Sequence, residues 1–96
     1  MGKIALVVSI EYKPESKASF LQALFEHKQR CLQTESGTLQ FEILRPSENL
    51  NSVVLFELYA NSLALSTHDA GLSLAIFKEQ AGSFIRNVSI QQCSVN

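Results

Sequence analysis

Charge of either sign is scarce in this chain. Eight Lys and Arg stand against nine Asp and Glu, the formal net charge is -1, and no run of cations occurs anywhere. Polyanions and anionic bilayers are held by clustered cations, so neither nucleic acid nor a membrane surface is an expected partner. No apolar run approaches the ~20 residues that span a bilayer, and no separate apolar segment with a small-residue cleavage site marks a secretory signal. Met1-Gly2 opens as a myristoylation signal does, but Leu6 stands where that signal needs Ser or Thr. Cysteine is nearly absent too. Cys31 and Cys93 share no metal-ligand spacing with each other or with the two histidines, and read as idle thiols in a reducing cytoplasm. These absences leave a cytoplasmic protein with no metal site expected.

What is present suits one domain over residues 1–96, since a chain of 96 residues has no room for two cores. Apolar residues make up 46% and charged residues only 18%. Charge this sparse hints that some apolar surface is covered in an oligomer.

Residues 3–12 alternate, with Ile4, Leu6, Val8, Ile10 and Tyr12 on one face and Ala5, Val7, Ser9 and Glu11 on the other. Pro14 ends that strand, and Lys13 or Ser16 could cap a helix carrying Phe20, Leu21, Leu24, Phe25, Lys28, Cys31 and Leu32 at helical spacing. His27 stands among Glu26, Lys28 and Arg30 and is expected in solvent. A turn at residues 34–37 follows, with Gly37 supplying backbone freedom where the chain reverses. Leu39, Phe41 and Ile43 mark a second strand, residues 47–52 a polar loop, and residues 53–60 a third strand. Asn61 is a good N-cap for a second helix, interrupted near Gly71 and running on to Gly82. Residues 84–95 read as a last strand, with Phe84, Arg86, Val88 and Ile90 opposite Ile85, Asn87, Ser89 and Gln91.

The order βαββαβ predicts an α+β, ferredoxin-like fold with two helices on one face of an antiparallel sheet. Helices cover only one face, yet Val7, Val54, Phe56 and Leu58 are apolar on the other. A second copy of the chain is the economical cover, so a homodimer joined sheet to sheet is expected.

Two segments then resemble a known family. Glu35-Ser36-Gly37-Thr38-Leu39-Gln40-Phe41-Glu42-Ile43 is similar to the Glu-Pro-Gly-x-Leu-x-Phe/Tyr-Asp/Glu-Val segment of the antibiotic biosynthesis monooxygenase (ABM) domain. Phe56-Glu57-Leu58-Tyr59-Ala60-Asn61-Ser62-Leu63-Ala64-Leu65-Ser66-Thr67-His68 resembles that family's Tyr-Glu-x-Trp/Tyr-x-Asp-x-x-Ala-Leu-x-x-His block, and Phe77 falls at a usual aromatic position. The resemblance implies a dimeric α+β barrel and oxidation of quinols, anthrones and related polyphenols by molecular oxygen, without metal or flavin. The chain departs from the pattern at Ser73, where many members have a second histidine. It also has no Trp and offers Ser9 where the haem-degrading branch has Asn, which argues against that branch.

An oxygenase without a cofactor needs a base of near-neutral pKa in an apolar pocket, and His68 is the candidate. Glu57, two residues from Tyr59 on one strand face, could fix the imidazole tautomer, and Tyr59 could bond a substrate oxygen. Equally, Glu57 could ion-pair with Arg45 or Arg86. Phe41, Phe56 and Phe77 are candidate flat walls for an aromatic substrate, with Ser9 beside them. Phe56 points opposite to Glu57 and Tyr59, so one set lines the pocket while the other meets the partner subunit. The rival readings are an isomerase of a small, possibly phosphorylated, carbonyl compound, which needs the same base but no oxygen, and a dimer that binds a small ligand without catalysis.

Overall fold

The computed structural model describes residues 2–96. Strand β1 (Ile4–Tyr12) leads through a turn that begins at Pro14 into helix α1 (Lys17–Thr34). Strands β2 (Thr38–Leu44) and β3 (Ser52–Tyr59) follow, then helices α2 (Ser62–Asp69) and α3 (Leu72–Ala81), and strand β4 (Ile85–Ser94) closes the chain. The sheet is antiparallel in the order β2-β3-β1-β4. This is the expected α+β ferredoxin-like arrangement, with the second helix split at Gly71 as the sequence suggests. Asn61 caps α2, its side-chain oxygen accepting from the Ala64 N–H at 2.9 Å. Among the described residues no helix is long and apolar enough to cross a membrane.

The alternation of β3 decides the layering. Val53, Leu55, Glu57 and Tyr59 are buried under the helices, while Val54, Phe56 and Leu58 are only half-buried on the other face. On β1, Leu6, Val8, Ile10 and Tyr12 join the same core. Tyr12 stacks on Phe20 of α1 at 4.8 Å between ring centres, and its hydroxyl donates to the Leu50 carbonyl at 2.8 Å. A buried Tyr keeps its polar end satisfied in this way.

Three local expectations change. The buried stripe of α1 is Phe20, Ala23, Leu24, His27 and Cys31, whereas Phe25 and Leu32 stand out in solvent. Spacings of three and four residues carry that stripe straight through His27, which is buried rather than solvated. On β4, the pairing register shifts between Glu11 and Tyr12: Ile10 faces Val88 and Glu11 faces Asn87, but Tyr12 faces Ile85. Arg86 is thus the extra residue of a bulge, and Ile85 shares the helix-covered face with Val88 instead of opposing it.

The third change concerns Gly37, which has an ordinary negative φ. What it supplies is space: a Cβ there would collide with Cβ of Ala64 on α2. The Gly37 carbonyl also accepts from the Ala60 N–H at 2.9 Å, tying the turn before β2 to the start of α2.

Candidate active site

Between the helix-covered face of the sheet and the helices lies an apolar cavity of about 320 Å³. Leu6, Val8, Leu55 and Phe77 contribute its hydrophobic wall, and His27, Glu57 and His68 its polar end. Val88 and Ile90 of β4 line it too and are 45% and 64% exposed, so the mouth opens along that edge strand.

His68 lies in the last turn of α2 and Glu35 directly after α1. The close approach of Gly37 to Ala64 brings them together, and His68 Nδ1–H donates to Glu35 Oε1 at 2.9 Å. Both side chains are at least nine-tenths buried. Glu35 Oε1 also accepts from the Thr38 hydroxyl at 2.8 Å, which fixes the carboxylate. In the neutral imidazole, Nδ1 as the donor leaves the lone pair on Nε2, 3.8 Å from Glu57 Oε1.

Glu57 itself is buried on β3 and accepts the Tyr59 hydroxyl at 2.5 Å. Burial pushes the Glu57 carboxyl above its ordinary range, against the opposing pull of the Tyr59 hydroxyl and His68. The same burial, with the Glu57 charge beside it, pushes the Tyr59 phenol up. Tyr59 is therefore a neutral donor held behind Glu57, completely buried and absent from the cavity wall.

Of the residues singled out in the sequence, His68, Glu57, Tyr59, Phe41 and Phe77 come together on the covered side. Phe77 lines the cavity, while Phe41 is buried behind it with its ring edge-on to His27 at 5.5 Å. Phe56 and Ser9 do not join them. Phe56 pairs with Val7 and Ser9 pairs with Val54, all on the uncovered face, because strand parity sends every second residue away from the helices. The tautomer of His68 is set by Glu35, not by Glu57, and neither Arg45 nor Arg86 pairs with Glu57 among the described residues.

His27 and Cys31 are the site residues that the sequence reading passes over. His27 stacks on Phe77 at 4.7 Å and its ring lies 5.7 Å from that of His68. Its Nδ1–H donates to the Ser73 carbonyl at 3.2 Å. Burial, then the neighbouring His68 and Arg30, push the His27 imidazole down to about 4, so it is neutral at pH 7. Cys31 Sγ lies 3.6 Å from His27 Nε2 and 3.8 Å from His68 Nδ1. Burial pushes this thiol up to about 12, with the Glu35 and Glu57 carboxylates adding to the rise, so it is no nucleophile at neutral pH. The signal that could have found both is the spacing His27, Cys31, Glu35: residues four apart, one above the other on one helix face.

The sequence profile of the antibiotic biosynthesis monooxygenase family matches residues 3–80. Among solved structures, a candidate antibiotic biosynthesis monooxygenase from Caulobacter crescentus superposes with a TM-score of 0.95 at 20% identity, covering 99% of this chain and 91% of that one. A counterpart from Nitrosomonas europaea gives 0.91 at 15% identity, covering 99% and 92%. One from Bacteroides thetaiotaomicron gives 0.90 at 20% identity, covering 98% and 90%. At these identities the likeness is one of fold. No curated protein matches the sequence.

Proposed function

The chain belongs to the antibiotic biosynthesis monooxygenase family, and from that premise we propose that it oxidises a small electron-rich aromatic compound, of the quinol or anthrone kind, with His68 as the base. Membership supports a monooxygenase-type role in general. The observation that carries the finer reading is the Glu35–His68 pair, at 2.9 Å, beside an apolar cavity of about 320 Å³.

A carboxylate behind Nδ1 holds the imidazole in the tautomer whose Nε2 can take a proton, and it stabilises the imidazolium that results. Removing a phenolic or benzylic proton makes the substrate an anion that molecular oxygen can oxidise by one electron. The substrate radical and superoxide combine, and the imidazolium returns its proton to the peroxide. Loss of water, with the second C–H proton leaving as the O–O bond breaks, converts a methylene to a carbonyl. One oxygen atom ends in the product and the other in water. Leu6, Val8, Leu55 and Phe77 keep bulk water from the anion, which preserves its reducing power. Glu57, with Tyr59 behind it, stands where it can hold a second substrate hydroxyl.

The uncovered sheet face, with Val7, Val54, Phe56 and Leu58, is in this reading the contact between two copies of the chain. Cys31 and Cys93, both free thiols, suit a reducing cytoplasm.

Oxygen uptake with a panel of quinols and anthrones tests the assignment. Native protein should consume oxygen, and His68→Ala should slow the consumption by at least about 100-fold without unfolding the chain. No uptake by the native protein across the panel would remove the oxygenase reading and leave proton abstraction beside a carbonyl, or ligand binding alone, for the same cavity.

A further inference from the structure

His27, Cys31 and His68 lie together although they come from two helices, and each is buried. One ligand atom from each falls within 4.8 Å of the other two. A tetrahedral zinc ion with bonds of about 2.3 Å to sulfur and about 2.1 Å to nitrogen separates sulfur from each nitrogen by about 3.6 Å and the two nitrogens by about 3.4 Å. Cys31 Sγ already stands 3.6 Å from His27 Nε2 and 3.8 Å from His68 Nδ1. We propose that this cluster is a binding site for a thiophilic divalent transition ion, with zinc as the leading candidate.

Three features of the surroundings support it. His27 donates its Nδ1–H to the Ser73 carbonyl at 3.2 Å. That bond fixes the tautomer with the lone pair on Nε2, as metal-bound imidazoles are fixed by an outer acceptor. Cys31 Sγ lies almost equally far from both ring nitrogens, 3.7 Å from Nδ1 and 3.6 Å from Nε2, so a turn of the ring or the thiol brings sulfur and lone pair onto one ion. Both histidines also line the cavity, which supplies an entry path and room for a fourth, exchangeable ligand. Finally, Glu35 Oε1 lies 2.9 Å from His68 Nδ1 and is anchored by Thr38. An ion that replaces the Nδ1 proton finds this carboxylate beside it to offset its charge. One imidazole, one thiolate and a second imidazole form a mixed nitrogen–sulfur set that favours zinc or cobalt over magnesium or calcium.

Such an ion occupies the nitrogen through which Glu35 holds His68. Metal-loaded and base-competent forms of the site are therefore alternatives, but the binding claim does not depend on the proposed oxidation.

Cobalt(II) is the probe, because a cobalt–thiolate bond has a charge-transfer absorption that nitrogen and oxygen ligands lack. Titrating the native chain should give that band at one ion per chain, and zinc added afterwards should bleach it. Cys31→Ser should lose the band, with affinity down by more than about 100-fold, and His27→Ala should weaken binding comparably. Cys93→Ser, altering the other thiol, should bind as the native chain does. Circular dichroism separates failure to bind from failure to fold. Should Cys31→Ser prove unfolded, the native band and its weakening in His27→Ala decide the matter. No thiolate band in the native protein, or a band that survives in folded Cys31→Ser, would overturn the site and make the cluster a hydrogen-bonded piece of core.

Discussion

The two faces of the sheet are built from the same strands and similarly apolar residues, yet they do opposite things. The covered face seals Val53, Leu55 and Tyr59 and, within the same alternation, buries Glu57 as well. The uncovered face sets Val54, Phe56 and Leu58 beside Ser9 and Gln91 and holds no cluster of titratable groups among the described residues. Burial is the first cause of the difference. Only where helices exclude water are His27, Cys31, Glu57 and Tyr59 shifted from their ordinary pKa values, and only there can a base and an organic anion meet without solvent. The other face can offer area, which suits association rather than chemistry.

Removing the proposed base is the most severe way to break this contrast. His68→Ala should lower the rate of oxygen consumption by about 10²–10⁴-fold, the usual contribution of a positioned general base. Glu35→Gln should lower it less and should move the rate's pH dependence, which steady-state assays across pH would reveal.

The next effect is on stability. His27 resists protonation down to about 4 in the folded chain, whereas the unfolded chain takes a proton near 6.5. The folded state therefore loses stability as pH falls through that window, by roughly 3 kcal/mol in all, and no further below it. Burial first, then His68 and Arg30, push His27 in this direction, and the Ser73 carbonyl and Glu35 oppose it. Glu57, whose carboxyl is raised, contributes a slope of the opposite sign, with stability lost as pH rises above the usual carboxylate range. Urea unfolding of native protein and His27→Phe, with a chelator present, should show the His27 slope in the first and not in the second.

On the uncovered face the expected effect is of another kind. Phe56→Glu puts a charge amid Val7, Val54 and Leu58, and should turn a dimer into a monomer by light scattering at micromolar concentration. Its circular dichroism should be unchanged. A native chain that is itself monomeric under those conditions would remove the association reading of that face. The mildest perturbation sits between layers: Gly37→Ala forces a methyl group onto Ala64 and should cost ~1–3 kcal/mol, measured as a lower urea midpoint.

Much of this arrangement is legible in the sequence, for physical reasons that differ by residue. Strand alternation has a period of two, so the layering of residues 53–60, and the opposition of Phe56 to Glu57 and Tyr59, follow from parity alone. Parity does not say which face the helices take, and so Phe56 and Ser9 can pass for cavity residues. His27 is misjudged when read by its neighbours in the chain, Glu26 and Lys28, because the neighbours that matter on a helix are Ala23, Leu24 and Cys31. Glu35 is legible as part of a turn but not as the partner of His68, because that contact spans 33 positions and depends on how α2 docks. Ser73 stands where the family resemblance implies a second imidazole. An imidazole does come near that residue from α1, with His27 Nδ1–H bonded to the Ser73 backbone carbonyl at 3.2 Å.

The meeting of Gly37 and Ala64 is a mechanical joint. Two residues without bulk act as a locating pin: they let the turn that carries Glu35 and the helix that carries His68 touch backbone to side chain, with no slack between them. Tolerance at a pin is inherited by everything it locates. Widening either residue by one methyl group should therefore loosen the carboxylate–imidazole pair far more than its distance from the cavity suggests, so that the alignment of the base is governed by a place that itself carries no chemistry.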